Sequence, residues 1–142
     1  MDTANSPRAP LPVGAYPHAR RAGNLLFLSG IGPRVRGSAA IPGVTLDANG
    51  QLIDHDIEAQ CHSVFANVRA VLEDAGAQWG DLVDVTVFLT DMQRDFATYN
   101  RLWAQYFAVD PPCRTTVEIN CLPTPIAIEL KCLAVLRERS GS

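Results

Sequence analysis

The segment "CRTTVEINCLPTPIAIELKC", Cys113 to Cys132, predicts two β-strands joined by a turn between prolines. Successive side chains of a strand point to opposite faces, so each strand has two distinct sides. One side of the first strand carries Val117, Ile119 and Cys121, and the other carries Arg114, Thr116, Glu118 and Asn120. In the second strand, Ile126, Ile128, Leu130 and Cys132 oppose Ala127, Glu129, Lys131 and Leu133. This pattern predicts a sheet with two different faces.

Two charges stand out in this segment, Arg114 at the start of the first strand and Glu129 within the second. Taken singly, Arg114 fits a charge at a strand edge, and Glu129 fits a solvated carboxylate paired with Lys131 or with a residue across the sheet. Taken together, they suggest a catalytic pair that acts on an acidic substrate. A guanidinium is matched to a substrate carboxylate, and a nearby acid can orient water or carry a proton.

The flanking sequence predicts five further elements. Helices are expected at Asp56–Ala75, where apolar residues recur at helical spacing, and at Asp95–Phe107. A strand is expected at Leu82–Thr90, and a Gly23-Asn24 turn should join a short extended segment to a strand at Leu25–Ser29. Residues 31–52 predict a long loop with room for short strands, residues 1–13 a frayed arm, and residues 137–142 a polar tail.

The resulting order, β-β-α-β-α-β-β, predicts an α+β fold in one domain covering residues 1–142. Two helices on one face of a mixed sheet leave the second face uncovered. Because the strands have apolar residues on both sides, we expect this face to be buried by oligomerisation.

Composition excludes several function classes. The net charge of −3 disfavours a sequence-independent grip on nucleic acid, and no apolar run reaches the roughly 18 residues of a membrane span. The N-terminus does not resemble a signal peptide, so a cytoplasmic location is expected. The four cysteines and three histidines are not spaced as metal ligands, which predicts no metal site, and the thiols are expected to be buried.

Four segments of the chain resemble the RidA family of enamine and imine deaminases. They are "GAYPHARRAGNLLFLSG", "DIEAQCHSVFANVRAVLEDAGA", "VDVTVFLTDMQRDFATYNRLWAQYF" and "CRTTVEINCLPTPIAIELKCLAV", and the resemblance spans about residues 12–137. It implies a chorismate-mutase-like fold, a homotrimer, and active sites in the clefts between subunits, with no cofactor.

The resemblance also implies roles for individual residues. Arg114 matches the arginine that binds the substrate carboxylate, and Glu129 the acid that positions the hydrolytic water. Tyr16 matches a tyrosine that lines the cleft, and Asn100 an asparagine that faces the neighbouring site. The backbone of Ser29 and Gly30 lies along the pocket.

The chain departs from the family pattern at three places. Pro17-His18 replaces a common Ser-Gln, Thr116 replaces a frequent cysteine, and the loop at 31–52 is longer than usual. Within the family, the sequence is most similar to 2-aminomuconate deaminases. Their substrate is a dicarboxylate, so a second cationic or donor group is expected. The candidates are His18, Arg20, Arg34 and Arg36.

The predicted function is therefore hydrolytic deamination of 2-aminomuconate to 4-oxalocrotonate and ammonia. Two alternatives stay open at this point. One is a broad deaminase of imines derived from amino acids such as threonine or serine. The other is a non-catalytic trimer that binds small carboxylates.

Overall fold

The computed structural model describes residues 2–137, which form one mixed sheet, a separate hairpin and two α-helices. The strands are β1 (Thr3–Ala4), β2 (Ala19–Ala22), β3 (Leu25–Leu28), β4 (Val44–Leu46), β5 (Leu52–His55), β6 (Leu82–Leu89), β7 (Cys113–Glu118) and β8 (Ile128–Val135), and the helices are α1 (Ile57–Asp74) and α2 (Met92–Tyr106). The six-stranded sheet has the order β1-β2-β3-β8-β6-β7. Only the β6–β7 pair of this sheet is parallel. The α+β prediction is confirmed.

Capping residues set where the two helices begin. The Asp56 carboxylate accepts hydrogen bonds from the backbone N–H groups of Glu58 and Ala59, so α1 begins where its sequence predicts. Helix α2 begins at Met92, three residues before the predicted start. Asp91 caps this earlier turn through the N–H of Arg94, and the carboxylate of Glu118 accepts a further bond from the N–H of Met92.

The core lies between the helices and one face of the sheet. On β8 the side chains of Ile128, Leu130, Cys132 and Ala134 are all buried on this face. An aromatic cluster from α1, α2 and the turn between α1 and β6 packs near them, formed by Phe65, Trp79, Trp103, Tyr106 and Phe107. We call this side of the sheet the helix face.

The opposite side, called the open face below, presents apolar groups to solvent in the single chain. Phe27 is 41% exposed, and its register partner Leu133 is only partly buried. Phe88 and Val117 are also half-buried there, beside Glu129 in the register of the sheet. Neither helix of residues 2–137 is long and apolar enough to cross a membrane.

The long loop predicted at residues 31–52 contains the first strand of the β4–β5 hairpin. Two polar links fasten this hairpin to the start of α2. Nε2 of the buried His55 lies 2.6 Å from Oδ2 of the buried Asp95, and Arg94 donates to both the Asp54 carboxylate and the carbonyl of His55. Burial of the Asp95 carboxylate raises its pKa, against the lowering effect of His55.

The N-terminal segment is not the frayed arm that its composition predicts. Residues 3–4 add an edge strand to β2, and Ser6 and Ala9 are buried. Arg8 forms salt bridges with Glu73 and Asp74 at the end of α1. The prediction failed because these contacts are not local in the chain: β1 pairs with residues 15 to 17 positions away, and Arg8 with residues 65 and 66 positions away. The predicted polar tail falls, from residue 138 onward, outside the described residues.

Candidate active site

A cavity of about 160 Å³ surrounds the carboxylate of Glu129, and we call it the Glu129 cavity. It forms where the N-terminal segment, the turn after β3 and the proline-rich turn before β8 converge. Its lining comprises Val13, Tyr16, Gly30, Gly32, Arg34, Pro123, Thr124, Ile126 and Glu129. Three residues predicted from the sequence, Tyr16, Gly30 and Arg34, therefore stand around Glu129.

Glu129 is half-buried on the open face, and burial raises the pKa of its carboxyl group. The nearby Arg34 guanidinium lowers this pKa and partly offsets the effect. Lys131 does not neutralise Glu129, because its ammonium group donates to the carbonyl of Leu28. The acid is therefore neither fully solvated nor consumed in an internal ion pair.

Gly30 allows the backbone to pass close to this acid. A Cβ atom at position 30 would lie only 2.8 Å from Oε2 of Glu129, which is too close for any side chain there unless the carboxylate moved. Tyr16 is 41% exposed, and its hydroxyl accepts a hydrogen bond from the N–H of Val13 at 3.2 Å. Ser29 instead points its hydroxyl at the carbonyl of Pro17, 2.7 Å away. The Ser29 side chain therefore braces the chain beside the cavity.

The structure gives the ring of His18 hydrogen-bond partners within the chain. The ring is buried, with Nδ1 accepting from the N–H of Ser6 at 2.9 Å and Nε2 lying 2.7 Å from the carbonyl of Pro10. Both ring nitrogens therefore have hydrogen-bond partners within the chain. His18 therefore fastens the N-terminal segment, and its substrate-binding role stays a prediction.

The three arginines proposed for a second carboxylate have different positions. Arg36 donates to the carbonyls of Ser6 and Ala9, so its side chain supports the N-terminal segment. Arg20 is an exposed residue of β2 and does not line the cavity. Arg34 alone among the three lines the Glu129 cavity.

Arg114 lies against α2. Its guanidinium carbon is 5.1 Å from the ring centroids of both Tyr99 and Trp103, within the range of cation–π attraction. Oγ1 of the neighbouring Thr116 is 2.7 Å from the hydroxyl of Tyr99, so that threonine braces the same wall. Within residues 2–137, no carboxylate forms a salt bridge with Arg114. Asn100, on the next turn of α2 after Phe96, has an exposed side chain.

Arg114 and Glu129 do not come together in one chain. Arg114 and Cys132 both pair in register with Val85, which places them on the same face of the sheet. Cys132 is three residues from Glu129 along β8, so Glu129 points to the opposite face. One chain thus presents an arginine with Thr116 on the helix face and an acid with Tyr16 and Gly30 on the open face.

Several cavity residues were not anticipated from the sequence. Val13 fell in the predicted arm, and Pro123 and Thr124 in a turn whose prolines were interpreted only as strand breakers. The prediction of buried thiols is correct for Cys61 and Cys132, whose pKa values burial raises to about 12, but Cys113 and Cys121 are exposed. No cluster of potential metal ligands occurs within the described residues.

Comparison with known proteins identifies the family. A family model described as endoribonuclease L-PSP matches residues 6–136. The chain belongs to this RidA/YjgF family. Among RidA/YjgF relatives, a RutC family protein of Pyrococcus horikoshii is 37% identical over 129 residues, covering 89% of this chain and 90% of that protein.

Two further relatives bear on function and fold. A Dermatophagoides farinae protein named 2-iminobutanoate/2-iminopropanoate deaminase is 33% identical over 133 residues, covering 93% of this chain and 94% of that protein. The crystal structure of the E. coli YjgF gene product superposes with a TM-score of 0.82 at 31% identity, covering 96% of this chain and all of that one. The RidA resemblance is thus confirmed at the level of family and fold. The 2-aminomuconate branch stays a prediction.

Proposed function

We propose that the protein is a cofactor-independent deaminase that hydrolyses 2-imino acids and their enamine tautomers to 2-oxo acids and ammonia. The observation that carries this proposal is the half-buried Glu129, which lines a small cavity and forms no salt bridge with any cation of residues 2–137. A relative named 2-iminobutanoate/2-iminopropanoate deaminase supports the substrate class. The broad-specificity alternative from the sequence is therefore preferred to a dedicated 2-aminomuconate enzyme.

The proposed reaction needs water, a positioned acid and a carboxylate anchor. The enamine tautomerises to the imine, whose C2 carbon is electrophilic. Glu129 orients a water molecule and accepts its proton as the oxygen adds to C2. Glu129 returns this proton to the nitrogen, which gives the carbinolamine. The carbinolamine then transfers its hydroxyl proton through Glu129 to the amine and expels ammonia, which leaves the 2-oxo acid. Gly30 and Tyr16 shape the space in which these steps occur.

We place the carboxylate anchor on a second copy of the chain. Arg114 has the planar fork that suits a carboxylate, but it lies on the face of the sheet opposite Glu129. A neighbour that covers the apolar open face would bring its own Arg114 and Asn100 toward the Glu129 cavity. This arrangement agrees with the homotrimer that the family resemblance implies, and it gives Phe27 and Leu133 a partner.

2-Aminomuconate is the second candidate substrate. It is an enamine with a carboxylate next to the reacting carbon, so the same chemistry applies, and its distal carboxylate could bind Arg34 in the cavity wall.

We propose the cytoplasm as the location of the protein and small carboxylic acids as its ligands. A role in binding RNA is not proposed, because the net charge is −3.

The test is ammonia release from 2-iminobutanoate generated in situ by a dehydratase. We expect the wild-type protein to accelerate release above the spontaneous rate. Glu129→Gln should lose at least about 100-fold of that acceleration, because general acid–base catalysis contributes about 10²- to 10⁴-fold. Binding of 2-oxobutanoate, followed by calorimetry, should persist in the variant. Binding without acceleration by the wild type would instead support the non-catalytic carboxylate binder.

A further inference from the structure

Arg34 is held in place by an unusual number of contacts for a residue in a long loop. On α1, Ser63 donates to the carbonyl of Pro33 at 2.6 Å. The side-chain amide of Asn67 donates to the carbonyls of both Gly32 and Arg34, at 2.9 and 2.7 Å. Three successive carbonyls are thereby bound to one helix, which fixes the backbone that carries the Arg34 side chain.

The guanidinium of Arg34 is also held by a hydrogen bond, yet most of its N–H donors remain available for a ligand. One terminal nitrogen donates to the carbonyl of Leu11 at 2.8 Å. An arginine has five N–H donors, so this single bond leaves a fork available for a carboxylate. No acid of residues 2–137 forms a salt bridge with Arg34.

The obvious partner for Arg34 would be Glu129, since both line the same cavity. Their charged groups do not form an ion pair, although the Arg34 guanidinium is near enough to lower the pKa of Glu129. Both groups therefore line one cavity of about 160 Å³ without neutralising each other, so each can still bind part of a small molecule. One of its ends would meet the cation, and its reacting carbon would meet the acid.

The segment that holds Arg34 is itself anchored. Leu11 follows Pro10, whose carbonyl binds His18, and Ala9, whose carbonyl binds Arg36. His18 and Arg36 thus shape the wall, whereas Arg34 lines the cavity. Such preorganisation lowers the cost of ordering a binding group.

We infer that Arg34 anchors a second acidic group, so that the preferred substrates are imino or enamino acids with two carboxylates. The inference rests on the proposed deaminase function. In this arrangement, Arg114 of a second copy binds the carboxylate next to C2, and Arg34 binds the distal carboxylate. Glu129 orients the attacking water. Monoacids fit the same cavity but leave Arg34 without a partner.

The experiment compares two substrates that differ in the distal group. 2-Iminoglutarate and 2-iminohexanoate are generated in situ by amino-acid oxidases acting on glutamate and norleucine, and the enzyme-dependent acceleration of ammonia release is measured. We expect wild type to favour the diacid. Arg34→Gln should lower kcat/KM for the diacid by about 10- to 100-fold, as for a lost charge-assisted hydrogen bond, and change the monoacid by less than about threefold.

Two control variants separate charge from position. Arg20→Gln removes the same charge from an exposed site on β2 and should leave the substrate preference unchanged. Arg34→Lys should keep part of the diacid preference, because it retains the charge without the fork. Equal losses on both substrates in Arg34→Gln would overturn the inference, as would a wild-type protein without diacid preference.

A binding measurement distinguishes this inference from the proposed function. Calorimetry compares 2-oxoglutarate with 2-oxohexanoate, and the diacid should bind more tightly to wild type but not to Arg34→Gln. If neither imine is deaminated but this binding preference is present, the catalytic proposal fails and the Arg34 subsite stands. If deamination occurs without any binding preference, the subsite fails and the deaminase stands.

Discussion

Glu129 is a residue whose chemistry depends on where the fold places it. In water a glutamate has a pKa of about 4.5, whereas burial in this cavity raises the value and Arg34 only partly opposes the rise. Because Gly30 has no side chain, it leaves room for the Glu129 carboxylate in this position. Such a group is closer to the operating pH than a surface acid and is better suited to exchanging protons with water.

A pH dependence follows from the raised pKa. In the proposed reaction the carboxylate form of Glu129 orients the water, and this form is lost as pH falls through the raised pKa. We therefore expect kcat/KM to decrease on the acid side at a pH above 4.5. Arg34→Gln should move this acid limb to higher pH, because the lowering effect of the guanidinium is removed. An acid limb unchanged by that substitution would contradict the electrostatic coupling between the two residues.

At the scale of elements, the N-terminal segment acts as a wall of the site. Its strand β1 pairs with β2, and its Arg8 forms a salt bridge with Asp74 of α1. The N–H of its Ser6 donates to His18, just before β2. None of its residues belongs to a long regular element. Its order comes from side chains that bind backbone carbonyls and N–H groups, which otherwise would be buried without partners.

His18→Ala should therefore destabilise the fold around this segment. The substitution leaves the N–H of Ser6 and the carbonyl of Pro10 without their buried partner. We expect a loss of about 1–3 kcal/mol in the free energy of unfolding, measured by urea denaturation. KM should rise more than kcat falls, since the Leu11 carbonyl that holds Arg34 lies on the loosened segment. A normal stability with a large loss of kcat would indicate that His18 acts on the substrate directly.

At the scale of the whole molecule, the important feature is that the two charged residues of the proposed site lie on different faces of the sheet. Arg114 and Glu129 belong to opposite sides of one sheet, so the proposed site is complete only when copies associate. The open face offers Phe27, Phe88 and Leu133 for that contact. An exposed apolar surface of this kind is typical of interfaces between subunits.

Mixing two inactive variants tests the shared site. Arg114→Ala and Glu129→Gln should each be inactive alone. After joint unfolding and refolding in equal amounts, about a quarter of the sites should combine an intact Glu129 with an intact Arg114 from a neighbour, since each is drawn with a chance of one half. Ammonia release should recover toward that fraction. No recovery, despite mixed oligomers detected by native mass spectrometry, would show that sites are not shared.

Local patterns were sufficient for both helices, for most strands of the six-stranded sheet and for the family, but not for β1. The apolar stripe of α1 with Asp56 before it, and the alternation in β6 and β8, are set by near neighbours in the chain. Short local patterns also made it possible to recognise four motif residues: Arg114, Glu129, Tyr16 and Gly30. It also misplaced the start of α2, because the cap from Glu118 comes from a strand that follows that helix.

Only the tertiary structure decided which of these residues meet. His18 and Arg34 were both candidates in the sequence, yet His18 bonds to Ser6 and Pro10, whereas Arg34 lines the cavity of Glu129. Arg114 and Glu129, which appeared to be a pair, stand on opposite faces. Strand alternation determines the faces of each strand by itself, but the pairing of distant strands and the packing of the helices determine which face is covered. For this reason the composition of the site depended on contacts between residues far apart in the chain.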